Sequence, residues 1–342
     1  MTRWTHRPDG STWGDWGEDD QLGRLNLLTP AKVREGMAEV REGLTFCLSL
    51  PLDAPGGNVV NPRRVPPVLS PTSDENGFRY NFRTGRLDAR HLDVVCDDKV
   101  TLTLQYSSQW DSLCHVGAMF DADGDGAPEA LFYNGFRSGA DVVGPLAQVG
   151  ADGHACYAYK LGVENMAEKP IQGRGVLVDL EKHFGRTQTY VGYDQLAAVM
   201  DADDVVVEPG DMLLLHTGYA TELLAMGGTP HPERVHAMCA VLDGRDERLL
   251  QWISDSQIAA LIADNYGVEA FPAKDGGPDP HAALPLHHHC LFKLGLNLGE
   301  MWYLEELALW LREHERSRFL LTAPPLRLPG AVGSPANAIA TV

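Results

Sequence analysis

The chain has 342 residues, which is enough for a single elaborated domain with an extension. Its formal net charge is −19. So acidic a chain repels phosphate backbones and anionic lipids, and we therefore expect no nucleic acid and no membrane among its partners. The cysteines are scattered without a C-x-x-C pair, and the N-terminus lacks the apolar segment of a signal peptide. We expect a cytoplasmic protein with reduced thiols.

The first 45 residues predict an N-terminal extension that consists of a tryptophan-rich loop and one helix. Trp13 and Trp16 lie in a stretch rich in glycine and aspartate, which is typical of a loop that packs its aromatic rings against other parts of the protein. Thr29, followed by a proline, is typical of a helix N-cap, and we expect the helix to continue to about Arg41. The rest of the chain, residues 46–342, is expected to form one further domain.

Beyond the extension, the hydrophobic pattern predicts strands and helices in mixed order. A long ordered excursion is expected over residues 51–90, where aromatic residues alternate. The predicted strands cover residues 44–50, 100–106, 175–180, 211–218, 258–262 and a segment from Phe319, and the predicted helices cover 193–200, 247–254, 286–295 and 304–313. Because the order lacks the strict rhythm of a doubly wound sheet, we predict an α/β fold with a mixed β-sheet core and flanking helices.

One polar segment stands out after the predicted strand 100–106. It places Gln105, Gln109, Asp111 and His115 at the end of a rigid element, where enzymes often carry functional side chains. A carboxylate can bind a divalent ion, and a nearby histidine can transfer protons. If the chain after Asp111 is helical, Asp111 and His115 share a face. The alternative is a hydrogen-bonded pair with a purely structural role.

A second candidate segment contains three adjacent histidines, of which His288 is the central one. Neighbouring residues on a helix diverge by about 100°, so the three imidazoles do not face the same way. Glu300 follows His288 after twelve residues and could return to the same site. We interpret His288 and Glu300 as a pair.

In this order, the segments resemble the metal-dependent cyclase family, which includes bacterial kynurenine formamidases and isatin hydrolases. The family motif H-x-G-T-H-x-D-x-P-x-H aligns with Gln105 to His115, and glutamines replace its two leading histidines. The chain is therefore similar to a branch with the motif Gln-x-x-x-Gln-x-Asp-x-x-x-His. Further family-like segments are residues 21–30, 173–179, 210–218, 263–269 and 330–335. The resemblance implies the swivelling β/β/α-like fold of that family, with residues 46–342 as a cyclase-like catalytic domain.

The resemblance also implies a site. Its metal ligands would be Asp111, His288, Glu300 and Gln109, with His287 as a one-residue alternative to His288. Since an amide oxygen is a weaker ligand than an imidazole, the two glutamines should weaken one of two metal positions. We therefore expect one divalent ion, manganese or zinc, with magnesium as an alternative. The candidate substrate contacts are Trp110, Tyr133, Asn134 and Gln105.

The activity implied by the resemblance is hydrolysis of a cyclic or N-acyl amide. Asp111 and His115 would be the catalytic residues, with a metal-bound water losing its proton to His115. A small-molecule substrate and a homodimer or homotetramer are expected. Two alternatives stay open: a metal-free relative that binds a small ligand without turnover, and a lyase or cyclase that uses Asp111 and His115 as an acid–base pair.

Overall fold

The computed structural model describes residues 3–145 and 156–342. The strands in this part of the chain are β1 (Thr45–Cys47), β2 (Val68–Pro71), β3 (Ser73–Asp74), β4 (Gly77–Phe78), β5 (Phe82–Arg83), β6 (Val94–Val95), β7 (Asp98–Thr101), β8 (Gln109–Asp111), β9 (Ala118–Phe120), β10 (Glu129–Leu131), β11 (Val142–Val143), β12 (Tyr157–Ala158), β13 (Gln172–Asp179), β14 (Thr189–Val191), β15 (Met212–His216), β16 (Ala240–Leu242), β17 (Ala260–Ala263), β18 (Asn297–Glu300), β19 (Arg318–Thr322), β20 (Gly333–Pro335) and β21 (Ile339–Thr341).

The helices lie mainly in the second half of the chain. They are α1 (Pro30–Ala38), α2 (Val163–Glu168), α3 (Leu180–Phe184), α4 (Tyr193–Ala202), α5 (Tyr219–Ala225), α6 (Pro232–Val235), α7 (Glu247–Ser256), α8 (Pro285–His287) and α9 (Glu305–Glu313). Short 3-10 helices cover Gly23–Leu27, Thr84–Arg86 and Tyr133–Gly135, and a π-helical turn, His288–Lys293, continues α8. No helix in the described ranges combines the length and the apolar character that crossing a bilayer requires.

The main sheet has nine strands in the order β1-β21-β19-β13-β15-β17-β18-β8-β20. Its central strands β13, β15, β17 and β18 are parallel, and the flanking pairs are antiparallel. Parallel strands are covered on both faces and are therefore apolar along their whole length. β15 fits this rule up to its last residue, His216, and each of its residues is buried. The predicted mixed β-sheet core with flanking helices is confirmed.

Alternate side chains of the central strands enter two separate cores, because successive residues of a strand point to opposite faces. Leu213 and Leu215 pack into one core together with Leu249 of α7. Leu214, between them, packs into the other core with Leu311 of α9. The helices therefore cover both faces of the sheet.

The N-terminal segment is packed against these cores. Trp13 is fully buried, and its indole Nε1 donates to the carbonyl oxygen of Phe292 at 2.7 Å. The buried Arg24 donates to the carbonyl oxygen of Ile253 at 2.7 Å. The side chain of Thr29 caps α1 as predicted, although α1 ends at Ala38 instead of continuing to Arg41. The division into an extension and a separate catalytic domain stays a prediction.

The excursion predicted over residues 51–90 contains short strand pairs outside the main sheet. β2 pairs with β7, β3 with β4, and β5 with β6. Phe82 is buried, whereas Phe78 and Tyr80 are 70% and 53% exposed. Only one of the three alternating aromatic rings therefore packs inward.

The strand predicted over residues 100–106 ends earlier than expected. β7 stops at Thr101 and is exposed along its length, because its partner is β2 and not a strand of the main sheet. The core strand is the motif itself, since β8 is fully buried between β18 and β20. The chain after Asp111 turns, with the backbone N–H of His115 bonded to the carbonyl oxygen of Ser112 at 3.0 Å. Asp111 and His115 do not share a helix face.

The ends of β13 and β15 are joined to α9 through His216. Its Nδ1 lies 2.9 Å from Asp179 Oδ1, and its Nε2 lies 3.2 Å from Glu305 Oε2. Burial alone would lower the pKa of His216, but hydrogen bonds to the two carboxylates outweigh it and raise the pKa to about 10. The imidazolium is therefore charged in the folded protein at neutral pH.

A raised pKa makes this contribution to stability pH-dependent. It is fully present below the ordinary histidine pKa of 6.5 and is lost as the pH rises through about 10. Between about pH 6 and about pH 9, the free energy of unfolding should fall by about 3 kcal/mol more in the wild type than in His216→Gln. Denaturant unfolding of both proteins at several pH values measures this difference. Groups that titrate in both proteins cancel from the comparison. Equal pH dependence in the two proteins would contradict the assignment.

Candidate active site

β8 separates the side chains of the polar motif onto two faces of the main sheet. Trp110 lies on the face opposite to its neighbours, fully buried against Trp302 with ring centroids 5.1 Å apart. Its Nε1 donates to the carbonyl oxygen of Ala323 at 2.8 Å. The prediction of Trp110 as a substrate contact is wrong, because the alternation of a strand directs its ring into the core. Gln109 and Asp111 share the other face.

Asp111 meets two residues from distant parts of the chain on that face. His287 ends α8 and Glu300 ends β18, and one ligand atom from each of the three residues lies within 4.8 Å of the others. His287 Nε2 is 3.1 Å from Glu300 Oε1 and 3.9 Å from Asp111 Oδ2. All three are buried. We call these three residues the acidic triad.

His288 is not part of the triad, and its prediction as a ligand is wrong. It is half-buried, and its ring packs on Phe292 with centroids 5.1 Å apart. His289 turns a third way, with its Nε2 2.9 Å from Ser254 Oγ. Since successive helical residues diverge by about 100°, only one of the three histidines can face Asp111. The one-residue alternative, His287, holds that place.

Glu269 fixes the orientation of His287. Its Oε1 lies 2.7 Å from His287 Nδ1 and also accepts the backbone N–H of His287, while its Oε2 accepts the N–H of Leu286. With Nδ1–H donated to Glu269, Nε2 is directed at the triad, and its lone pair becomes available to a metal ion that displaces the Nε2 proton. Metal-binding histidines commonly have such a carboxylate partner. Glu269 is absent from the predicted site, although it lies six positions after a buried strand.

The electrostatics of the triad are those of a cation site. Burial raises the pKa of Asp111 well above its ordinary value, and the charge of Glu300 raises it further. Burial would lower the pKa of His287, but hydrogen bonds to Glu269 and Glu300 raise it to about 10. Asp111 Oδ2 is buried without a hydrogen-bond partner among the described residues. Two carboxylates, one of which has an unpaired buried oxygen, and one imidazole fit a divalent metal ion.

Gln109 lies beside the triad. Its amide Nε2 donates to Glu300 Oε2 at 2.7 Å and to Asp111 Oδ1 at 3.4 Å. Its Oε1 accepts from Arg64 Nη1 at 3.4 Å. The amide nitrogen therefore faces the carboxylates, and Gln109 would have to turn its amide over to act as a metal ligand.

His115 lies at the edge of the triad. Its Nε2 is 3.9 Å from Asp111 Oδ1, and 22% of its side chain is exposed. Burial is the main reason that its pKa is lowered to about 4. The imidazole is therefore neutral at neutral pH and can accept a proton.

Tyr133 and Asn134 face the N-terminal loop, and their prediction as substrate contacts is wrong. The hydroxyl of Tyr133 lies 3.2 Å from Asp20 Oδ2. Asn134 Nδ2 donates to the carbonyl oxygens of Gly17, Glu18 and Asp20 at 3.0–3.1 Å. Both residues are fully buried, and the N-terminal loop occupies the space that they face.

Gln105 is half-buried and lies against β20. A Cβ atom placed on Gly333 would lie only 2.3 Å from Gln105 Nε2, so the amide fills the space next to that glycine. Gly333 is paired in register with Asp111, which places Gln105 close to the backbone of the motif. Its role as a substrate contact stays a prediction.

The fold and the sequence can be compared with known proteins. Residues 46–270 match the family described as Cyclase. A solved structure of a novel cyclase is 31% identical with a TM-score of 0.72, over 97% of each chain. No protein of curated function matches the chain.

Two isatin hydrolases share the fold at low identity. Isatin hydrolase A from Ralstonia solanacearum is 14% identical with a TM-score of 0.56, over 91% of this chain and 95% of that one. Isatin hydrolase A from Labrenzia aggregata is 12% identical with a TM-score of 0.54, over 91% and 97%. The family match covers more than half of the chain, and the 31% identical cyclase spans nearly all of it. The chain therefore belongs to the cyclase family, as its sequence motifs predict.

Proposed function

We propose that the protein is a metal-dependent hydrolase that cleaves the C–N bond of a small cyclic or N-acyl amide. The observation that carries this proposal is the acidic triad, whose buried Asp111 Oδ2 has no hydrogen-bond partner among the described residues and whose neighbour is the neutral His115. The shared fold with two isatin hydrolases supports it, because isatin is a cyclic amide.

The triad would hold one divalent ion through Asp111, His287 and Glu300. When bound, the ion supplies a Lewis acid for the substrate carbonyl and lowers the pKa of a water molecule. The mixed set of carboxylate and imidazole donors suits manganese or zinc, with magnesium as an alternative. Glu269 accepts a hydrogen bond from His287 Nδ1 and thereby keeps the other ring nitrogen, Nε2, directed at the ion position.

His115 would transfer the protons of the reaction. As a neutral imidazole it takes a proton from the water that attacks the carbonyl carbon, and it returns that proton to the nitrogen as the C–N bond breaks. Its position fits this role, because it lies close to Asp111 Oδ1 while part of its side chain stays open to solvent.

A metal-free relative that binds a small ligand is the second candidate. One specific feature favours it. Gln109 Nε2 donates to one oxygen of Glu300 and to one oxygen of Asp111. These hydrogen bonds from a neutral amide partly satisfy the two carboxylates without an ion. The metal content of the purified protein separates the two candidates.

Replacing His287 should remove the metal, whereas replacing its neighbour should not. Loss of a residue that only hydrogen-bonds a metal ligand weakens metal binding by roughly 10- to 100-fold. Because His287 is itself a proposed ligand, we expect His287→Gln to weaken Mn²⁺ or Zn²⁺ binding by more than that. His288→Gln is the matched control and should keep near-stoichiometric metal, because its ring packs on Phe292. Elemental analysis after loading and dialysis measures both. Wild-type protein that stays metal-free after loading would refute the proposed activity.

His115→Gln should keep the metal and lose turnover. Without a proton acceptor, we expect the rate to fall by about 10²- to 10⁴-fold. Hydrolysis of isatin, formanilide and succinimide, followed by absorbance or chromatography, identifies an active substrate for this comparison. His91→Gln, at an exposed histidine, is the control and should keep wild-type activity. Loss of metal from His115→Gln would show that His115 is a ligand instead.

A further inference from the structure

Arg64 lies next to the glutamine that replaces a family histidine. Its Nη1 donates to Gln109 Oε1 at 3.4 Å, and its side chain lines a small cavity together with Asn61, Tyr106 and Met301. Arg64 is half-buried. The guanidinium therefore lies on the side of Gln109 that faces away from the triad carboxylates.

The loop that carries Arg64 is fixed to the segment that leads into β8. The backbone N–H of Val65 donates to Thr103 Oγ1 at 3.1 Å, and the hydroxyl of Tyr106 donates to the carbonyl oxygen of Gly57 at 2.8 Å. A backbone hydrogen bond from Arg64 to Asn61 closes the turn just before it. These hydrogen bonds hold the loop of Arg64 against the segment that leads to Gln109.

Arg64 forms no ion pair with any residue in the described ranges at a 4.0 Å limit. Its side chain instead donates to the neutral amide of Gln109. The chain has 47 acidic and 28 basic residues, so carboxylate partners are plentiful. The positive charge of the half-buried Arg64 is nevertheless not neutralised by an ion pair in the described ranges.

The charges of the active site indicate what that charge balances. Asp111, Glu300 and Glu269 bring three buried carboxylates, and a single divalent ion with a neutral His287 would leave one negative charge. Arg64 supplies the missing positive charge. It also bonds to the only oxygen that the Gln109 side chain could offer to a metal.

We propose that Arg64 neutralises the one negative charge that a bound divalent ion would leave in this active site and keeps the position beside Gln105 and Gln109 free of a second metal ion. This proposal rests on the proposed metal-dependent function. The glutamines and the arginine then act as one unit: the amides take the place of the strong imidazole ligands, and the guanidinium neutralises the charge that would otherwise attract a second cation.

Equilibrium binding of Mn²⁺, followed by calorimetry, tests the electrostatic part. Removing a positive charge near the ion should tighten its binding, and we expect about a tenfold gain in Arg64→Gln. Arg64→Lys should bind Mn²⁺ with wild-type affinity, because it keeps the charge. Arg63→Gln removes the same charge from the exposed neighbouring position and should have a much smaller effect. Unchanged or weaker binding in Arg64→Gln would overturn the proposal.

The number of bound ions tests the exclusion part. The double variant Gln105→His/Gln109→His should still hold one Mn²⁺ or Zn²⁺ ion per chain, and adding Arg64→Gln should allow two, as counted by elemental analysis. Two ions in the double variant, or one in the triple variant, would overturn the role of Arg64 alone. If the wild type and every variant bind no ion, the proposed metal-dependent function fails, and the role of Arg64 fails with it.

Discussion

The antiparallel pairing of β8 with β18 places Gln109 directly opposite Glu300 and Asp111 opposite Leu298. The register is fixed from the other face of the sheet, where Trp110 packs edge-to-face on Trp302. A slip of one residue would exchange the faces, burying Asp111 in an apolar core and moving Trp110 to the polar side. The site therefore depends on this aromatic contact, although neither tryptophan belongs to it.

The third member of the triad comes from a different kind of element. His287 lies at the junction of a single α-helical turn and a π-helical turn, and its backbone N–H and its ring both bond to Glu269. Glu269 thereby fixes the position of the helix start and the orientation of the imidazole. One buried carboxylate thus joins the region after β17 to the active site. It does so at the face where Asp111 and Glu300 meet.

Much of the architecture follows from the sequence because the signals are local. The apolar run of β15 predicts a buried strand, and Thr29 predicts the start of α1. The family resemblance also predicts Asp111 and Glu300 as neighbours, and the sheet brings them together. Each of these inferences needs only a short segment or a known spacing.

The errors arise where the outcome depends on distant parts of the chain. The core position of Trp110 follows from the alternation of side chains along β8. The sequence pattern instead predicts a strand at residues 100–106, whose alternation suits an exposed pair of strands equally well. The choice between His287 and His288 depends on how a short helix is rotated, and Glu269 sets that rotation. Asn134 contacts a loop more than 110 residues away, which no local pattern reveals.

The central claim is that a divalent ion binds between Asp111, His287 and Glu300. Anomalous diffraction from crystals soaked in Mn²⁺ tests it most directly, because the scattering locates the ion independently of turnover or substrate. The account predicts a single anomalous peak within ligand distance of Asp111 Oδ2, His287 Nε2 and a carboxylate oxygen of Glu300. A peak at His288, or none among these three residues, would contradict it.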